Sequence, residues 1–375
     1  MIKKEVLEIR RQFTPMNCAI TRICGCYVNH EKEKVLEMKE AFLSLPEEET
    51  FKYFDIFKKA LSGSIGKNLI DLKFPLDQEE RGGAQEFLLR LRNSKLKDNA
   101  LLDEFYNRVI ESYNFVENYY IILIHAAYDI PGKSSDGFTM EDASDEVYEH
   151  LLCCICPVGL SKAGLSYDSD KNLITERLRD WVVAEPLNGF LFPAFTDRST
   201  DIHSALFYTK KPKEIHPEFI EGMFGTEIPL SADSQKAALQ TIIAGVLGDD
   251  CEYDVVKGIH ERLYEKVVEH KEDPEPYEVT DADLRIIFEN SGVSSESMEK
   301  FESAYKLVVP EKTSLLATNL IDTKKFSIEA PDVVIKVHPE RMDLVETRVI
   351  DGRQCIVIAT DSKVELNGLD VKVTR

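Results

Sequence analysis

A glycine pair followed closely by a glutamine is the first place in this sequence where residue types and spacing suggest chemistry. The segment Arg81-Gly82-Gly83-Ala84-Gln85 lies between a strand-like stretch and an amphipathic helix. Consecutive glycines allow backbone conformations closed to other residues and let a second backbone approach closely. The neutral side chain of Gln85 offers both a hydrogen-bond donor and an acceptor. The helix that follows carries a basic cluster that would suit a phosphodiester chain: Arg90, Arg92, Lys95 and Lys97.

The same region resembles the catalytic loop region of archaeal and eukaryotic class-I translation release factors. The run that carries the resemblance is LKFPLDQEERGGAQEFLLRLRNSKLKD, in which a strand and a charged turn precede the glycines and a basic helix follows them. Ala84 departs from the strict Gly-Gly-Gln tripeptide of that family. The spacing from Gly82 to Gln85 is instead similar to the Gly-x-x-Gln form of release-factor-like peptidyl-tRNA hydrolases.

The resemblance implies a translation-associated protein that binds the ribosome or a tRNA and could hydrolyse a peptidyl-tRNA ester. In that case Gly82 and Gly83 would shape an exposed loop, and Gln85 would position water at the ester carbonyl. Arg81 and the four basic residues of the helix would contact RNA phosphates. The structural alternative is a glycine turn followed by a solvated helix face. Whether the chain is an enzyme stays open at this point.

A polar stretch between two apolar strands, residues 196–203, is the second candidate site. It brings together carboxylates, a guanidinium, a hydroxyl and an imidazole, on Asp197, Arg198, Ser199, Asp201 and His203. A hydrolase or a small-ligand-binding enzyme centred here is the second functional hypothesis. However, no Gly-x-Ser-x-Gly elbow surrounds Ser199, and nearness in sequence does not define a catalytic triad. We favour a hairpin loop in which Arg198 pairs with Asp197 or Asp201.

The cysteines and the other distinctive residues favour structural roles. The spacings of Cys24 with Cys26 and of Cys154 with Cys156 lack the Cys-x-x-Cys pattern of structural zinc, and alternation places both thiols of each pair on one sheet face. We therefore expect no metal and no cofactor. His125 and Trp181 are expected in the core. Free, packed thiols are predicted for Cys18, Cys24, Cys26, Cys153, Cys154 and Cys156.

Charge restricts the possible partners. The chain has 375 residues, with 46 Lys and Arg against 67 Asp and Glu, and a formal net charge of −21. Such a surface repels nucleic acid and anionic membranes except where positive charge is concentrated locally. No window approaches the roughly 18 apolar residues of a membrane span, and the charged N-terminal stretch lacks an apolar signal core. We expect a cytoplasmic protein that binds neither DNA nor membrane; the sequence leaves the oligomeric state open.

The pattern of elements predicts a mixed α/β fold in four regions. Residues 1–66 form an N-terminal helical and strand region, and residues 67–212 form a central α/β domain with a mixed sheet. Residues 213–310 are helical, with a linker near 271–278 that is rich in proline and charge. Residues 311–375 form a small β unit, because Asp351-Gly352 and Asn367-Gly368 are typical of type I′ hairpin turns.

The chain as a whole looks like a bacterial family of unknown function, domain of unknown function family 4317. The segments that carry this resemblance are TRICGCYV, LSGSIGKN, LLCCICPV, FPAFTDRSTDIHSALFYTK and PDVVIKVHPERMDLVETRVIDGR. The resemblance implies one inherited unit over all residues, with no activity attached. A third functional hypothesis is therefore a non-enzymatic protein-interaction adaptor whose C-terminal β unit recruits a partner.

Overall fold

The structure is a computed structural model and describes residues 1–133, 139–227, 229–310, 313–360 and 364–371. The chain divides into two compact units, Met1–Ser231 and Ala232–Arg375, called here the first and second units. Both contain helices and strands, so the predicted mixed α/β fold is confirmed. The finer division into four regions stays a prediction. Within the described ranges, no helix is both long and apolar enough to cross a membrane.

One large sheet organises the first unit. The strands of this unit are β1 (Ile20–Val28), β2 (Lys34–Glu40), β3 (Leu69–Lys73), β4 (Tyr119–Lys133), β5 (Thr139–Leu160), β6 (Leu165–Asp168), β7 (Leu173–Glu176), β8 (Trp181–Val183), β9 (Asn188–Phe192), β10 (Ala194–Thr196), β11 (Ser199–Asp201) and β12 (Ser204–Thr209). The order across the sheet is β2-β1-β4-β5-β9-β12-β3, and β8 also pairs with β5. Strands from the first 66 residues thus share the sheet with strands of the central region.

The strands of this sheet pair only in the antiparallel sense, so the expected mixed sheet is wrong. The alternation of strands and helices along the sequence suggested parallel crossovers. The strands that follow each other, β1 with β2 and β4 with β5, instead pair directly with each other. Direct pairing of neighbouring strands in a chain is typical of antiparallel sheets, whereas parallel strands need a long crossover connection.

Helices cover both faces of the sheet. They are α1 (Lys3–Arg10), α2 (Glu47–Ala60), α3 (Ala84–Asn93), α4 (Asn99–Ser112) and α5 (Pro217–Phe224). Helices α3, α4 and α5 share one hydrophobic core with Ile121 and Leu123 of β4. Helices α1 and α2 share the other with Ile122 and Ile124. Because both faces of β4 are buried, the strand reads as a continuous apolar run rather than an alternating one.

The ends of helix α2 carry charges that stabilise a helix. Pro46 precedes it, three glutamates occupy its first turn, and two lysines occupy its last turn. Negative charge near a helix N-terminus and positive charge near its C-terminus both complement the helix dipole. The apolar face of α2 buries Phe54 and Phe57 against the sheet.

The second unit combines helices with separate β-hairpins. Its helices are α6 (Ala232–Leu247), α7 (Tyr253–Glu269), α8 (Asp281–Asn290), α9 (Ser295–Met298), α10 (Phe301–Val308) and α11 (Ala317–Leu320). Its strands are β13 (Glu278–Val279), β14 (Leu315–Leu316), β15 (Phe326–Ala330), β16 (Val333–Val337), β17 (Val345–Ile350), β18 (Arg353–Ile358), β19 (Val364–Leu366) and β20 (Leu369–Val371). They pair in sequence as two-stranded antiparallel sheets.

Both predicted hairpin turns are present. Asp351 and Gly352 have positive φ between β17 and β18, as do Asn367 and Gly368 between β19 and β20. Type I′ turns require positive φ at both central residues, which is why these dipeptides predict them.

The paired cysteines occupy the sheet faces that their alternation predicts. Cys24 and Cys26 lie in the core under α3, α4 and α5, whereas Cys154 and Cys156 lie in the core under α1 and α2. Burial raises the pKa of the Cys26 thiol to about 12 and raises that of Cys153 well above its usual value. Among the described residues, no group of three His, Cys, Asp or Glu side chains could hold a metal ion. The absence of a bound metal in the protein stays a prediction.

Thiol labelling should separate the cysteines by burial. In native protein the exposed Cys251 should react rapidly with a disulfide reagent. The thiolate is the reactive form of cysteine, and burial suppresses its formation. The buried thiols should therefore react only on unfolding; they are Cys24, Cys26, Cys153, Cys154 and Cys156. Time-resolved labelling with and without guanidinium measures this, with Cys251→Ser expected to remove the fastest phase. Rapid native labelling of Cys154 would contradict the packing.

Candidate functional site

The glutamine of the glycine-rich segment is buried. Gln85 lies in the first turn of α3 and is 1% exposed. Its Nε2 donates a hydrogen bond to the carbonyl of Ile202 at 2.7 Å. The expectation of an exposed loop is therefore wrong for this residue. The physical reason is that α3 begins at Ala84, so Gln85 falls on the helix face that packs against the sheet together with Leu88.

The two glycines serve the entry into α3. Gly82 has φ +93°, a conformation that favours glycine. A Cβ on Gly83 would lie 2.3 Å from the carbonyl oxygen of Gln78, so only glycine fits there. The side chain of Gln78 in turn accepts a hydrogen bond from the backbone N–H of Ala84 at 3.0 Å. Backbone geometry thus accounts for the Gly-Gly pair. Gln78, whose backbone approaches closely because Gly83 has no Cβ, satisfies a backbone donor at the helix N-terminus with its side chain.

The basic side chains after the glycines are partly neutralised. Arg90 pairs with Glu86 at 2.9 Å and Lys95 pairs with Glu149 at 2.8 Å. The guanidinium of Arg92 donates to the side-chain oxygen of Asn93. No hydrogen bond or ion pair of the Arg81 and Lys97 side chains is present in the described part of the chain. The cluster is therefore less positive than its sequence suggests.

The polar stretch 196–203 is the hairpin that we favoured. Strands β10 and β11 pair with each other, and both turn residues, Asp197 and Arg198, have positive φ. The predicted partner of Arg198 is wrong, however. Its guanidinium lies 3.2 Å from a carboxylate oxygen of Glu8, and the Asp197 N–H donates to Glu5 at 2.7 Å. Both acceptors come from α1, which sequence proximity could not indicate.

Ser199 and His203 do not form a nucleophile and base pair. The Ser199 hydroxyl donates to Glu146 at 3.2 Å, and His203 Nδ1 lies 2.7 Å from Glu79. Asp201 accepts a hydrogen bond from the backbone N–H of His203 at 3.0 Å. Ser199 and His203 thus contact neighbouring segments, whereas Asp201 stabilises the backbone of its own stretch.

Two histidines form a buried polar cluster on β4 and β5. His125 is in the core as predicted, with Nδ1 2.8 Å from the Thr21 hydroxyl and Nε2 3.8 Å from Glu149. His150 is also buried and stacks on Tyr148 with ring centroids 4.5 Å apart. Burial is the main cause that lowers the pKa of His150 to about 3, and nearby His125 contributes in the same direction. His150 is not among the residues predicted from the sequence, although its alternation with Tyr148 and Leu152 is typical of an inward side chain.

Trp181 lies on the surface, so its predicted core position is wrong. It is 57% exposed and begins the short strand β8, which extends from the end of β5. The reason is that β8 pairs with the last residues of β5, at the margin of the main sheet, where Leu160, the partner of Trp181, is also exposed. The chain before it, β6 and β7, forms a separate two-stranded sheet. This segment exposes several large apolar side chains: Leu160, Leu165, Tyr167, Leu173, Ile174, Leu178, Trp181, Val182 and Val183.

The C-terminal hairpins expose a second apolar surface. Cross-strand partners share a sheet face, so the pairings Val349 with Gln354 and Thr347 with Ile356 place Val349 and Ile356 on one side of the β17–β18 hairpin. In the β19–β20 hairpin, Leu366 pairs with Leu369. The exposed apolar side chains of these hairpins are Val333, Val334, Val349, Ile350, Ile356, Ile358, Leu366, Leu369 and Val371.

The chain belongs to the family described as Domain of unknown function (DUF4317), whose match covers residues 1–369. This match extends over both compact units and supports the whole-chain resemblance. No curated protein and no solved structure matches the chain. Neither the comparisons nor the position of Gln85 supports the resemblance to release factors.

Replacing Gly83 with alanine should destabilise the protein by about 1 to 3 kcal/mol, because the added Cβ would overlap the Gln78 carbonyl oxygen. Gly159→Ala is the matched control, since no described atom lies within 4 Å of its Cβ position. Denaturant unfolding measures both free energies. Equal stability of the two variants would contradict the close approach at Gly83.

Stability should fall in mild acid because of His150. Its pKa is about 3 in the folded state and about 6.5 when unfolded, so only the unfolded state binds a proton between these values. The stabilisation is present above pH 6.5 and is lost as the pH falls towards 3. Between pH 7.5 and 5.5 the wild type should lose about 1.4 kcal/mol more than His150→Gln. Denaturant unfolding at both pH values checks this, with the surface substitution His30→Gln as control; equal losses in wild type and His150→Gln would exclude the effect.

Proposed function

We propose that this protein is a non-enzymatic interaction adaptor that binds a partner protein through the apolar faces of its C-terminal hairpins. The observation that carries the proposal is the exposed apolar strip of Val349, Ile356 and Ile358 on β17–β18. The hairpin β19–β20 also exposes apolar side chains, those of Leu366 and Leu369. Soluble proteins rarely leave such apolar surface uncovered unless it binds something.

The physics of small sheets supports this proposal. An isolated two-stranded hairpin is at best marginally stable in water, and it gains stability when its apolar face packs against another surface. In the β19–β20 hairpin, Leu366 and Leu369 lie on one face, whereas the cross-strand pair Glu365 and Asp370 lies on the opposite face. A partner that covers the apolar face would leave these carboxylates in water. The arrangement therefore favours one binding side.

Charge favours a protein partner over a nucleic acid at this surface. Residues 322–375 contain ten acidic and nine basic side chains, whereas the whole chain carries −21. The hairpin segment is thus nearly neutral in an acidic protein. A neutral apolar surface suits the apolar centre of a protein interface, where charged residues are depleted. Phosphate recognition would instead need concentrated positive charge.

The enzymatic hypotheses have less geometric support. Gln85, the residue that would position water in a release-factor mechanism, is buried and donates to Ile202. Ser199 and His203 contact different carboxylates, Glu146 and Glu79. Ribosome or tRNA binding, ester hydrolysis and a cytoplasmic location stay predictions. The adaptor function is the one that the exposed surfaces favour.

Affinity capture with matched surface variants tests the adaptor function. The variant Val349→Thr, Ile356→Thr, Leu369→Thr keeps β-forming residues but makes the hairpin faces polar. The control Leu43→Thr, Leu76→Thr, Val116→Thr changes three exposed apolar residues of the first unit. We expect a stoichiometric partner in host extract to bind the wild type and the control, and to bind the hairpin variant more than tenfold more weakly, because apolar anchors dominate interface energy.

Two results would contradict the adaptor function. One is equal recovery of the partner by the hairpin variant and the wild type. The other is recovery of ribosomal subunits whose binding is lost in Arg81→Glu, Lys97→Glu and unaffected by the hairpin variant, which would favour the translation hypothesis. Circular dichroism of each variant checks that the fold is intact.

A further inference from the structure

The second unit contains a polar pocket between two helices and the hairpin β15–β16. Its volume is about 520 Å³, within the range of small-molecule sites. Residues one helical turn apart contribute from each helix, so their side chains lie on the same helix face. The polar lining comes from α6, α7 and the chain leading into and along β15, with Lys236 and Gln240, His260 and Tyr264, and Asp322, Lys325, Ser327 and Glu329.

The cationic groups of this pocket are available to a ligand. No hydrogen bond or ion pair of the Lys236 or Lys325 ammonium occurs within the residues that the structure describes. Burial lowers the pKa of His260, and the Lys236 ammonium lowers it further. The His260 ring also contacts Phe326 edge to face, with centroids 5.8 Å apart. Lys236 thus makes the surroundings of His260 positive, in a protein whose overall charge is strongly negative.

The carboxylates near the pocket are engaged or exposed. Asp322 accepts hydrogen bonds from the backbone N–H groups of Lys324 at 2.9 Å and Lys325 at 3.3 Å. Glu340 accepts a hydrogen bond from the Tyr264 hydroxyl at 3.4 Å. Glu329 is an exposed residue of β15. Asp322 and Glu329 line the pocket together with Lys236 and Lys325, so the lining holds two carboxylates and two ammonium groups. Neither ammonium forms an ion pair with these carboxylates among the described residues, which leaves both ammonium groups able to contact an anion.

We propose that this pocket binds the phosphate group of a small phosphate monoester. A phosphate dianion can bind between the two ammonium groups, and the Ser327 hydroxyl can donate to one of its remaining oxygens. The pocket is larger than a phosphate, and Phe326, Pro339 and Met342 line its apolar part. The organic part of the ligand therefore packs against these side chains. This site goes beyond the adaptor function and does not depend on it.

A titration of the full chain with phenyl phosphate tests the site, observed through the imidazole resonances of His260. The variant His260→Gln assigns these resonances among the eight histidines. Phenyl phosphate should shift them and raise the pKa of His260, because a bound anion stabilises the imidazolium. Phenol should not shift them, since it lacks the phosphate. Inorganic phosphate should bind more weakly than phenyl phosphate, because it lacks the contact with Phe326.

Charge-removing variants complete the test. Lys236→Met and Lys325→Met should each weaken phenyl phosphate binding about tenfold, because each removes one charged hydrogen bond. Lys324→Met, which removes a neighbouring lysine outside the pocket lining, should bind like the wild type. Three outcomes would overturn the proposal: no shift of the His260 resonances, an equal shift with phenol, or equal weakening by Lys324→Met. Circular dichroism confirms that each variant is folded.

Discussion

The antiparallel pairing of β4 with β5 is the interaction on which the first unit depends. The two strands place Ile121 opposite Ile155 and Leu123 opposite Cys153, at the centre of the sheet. Every backbone group in such a doubly covered strand must find its partner within the sheet, because water cannot reach it. This requirement fixes the register, and a one-residue slip would move each side chain to the opposite core. β1 and β9 then pair with the outer edges of this central pair.

A second pairing explains why two distant polar segments meet. β3 pairs with β12, and the N–H of Phe74 donates to the carbonyl of His203 at 2.9 Å. The chain after β3 leads into the glycines and α3, while the chain before β12 is the hairpin 196–203. Their contact through Gln85 and Ile202 therefore follows from strand order. Shared topology, rather than a shared reaction, accounts for the convergence of these two candidate sites.

Local signals in the sequence predicted the fold class, the type I′ hairpin turns and the faces of the paired cysteines, because each depends on a few neighbouring residues. Features that depend on distant partners could not be predicted in this way. The pairing of Arg198 with Glu8 requires α1 to lie beside the hairpin. The burial of Gln85 requires the helix to begin at Ala84, and the exposure of Trp181 follows from its pairing with the exposed Leu160 at the end of β5. The sequence thus singled out these polar segments, whereas the partners of their side chains could not be read from it.

Polar residues are usually the first candidates for function, but in this protein the polar candidates hold segments of the fold together. The polar residues that could take part in a reaction, such as Gln85, Arg198 and Ser199, form contacts that hold one segment to another. Removing such a group breaks a contact between two segments, so a loss of activity on mutation would not by itself identify catalysis. Apolar residues such as Val349 contribute little to the packed cores, and their removal should leave the fold intact. Changes at the exposed hairpin faces can therefore separate binding from folding, whereas changes at the polar segments cannot.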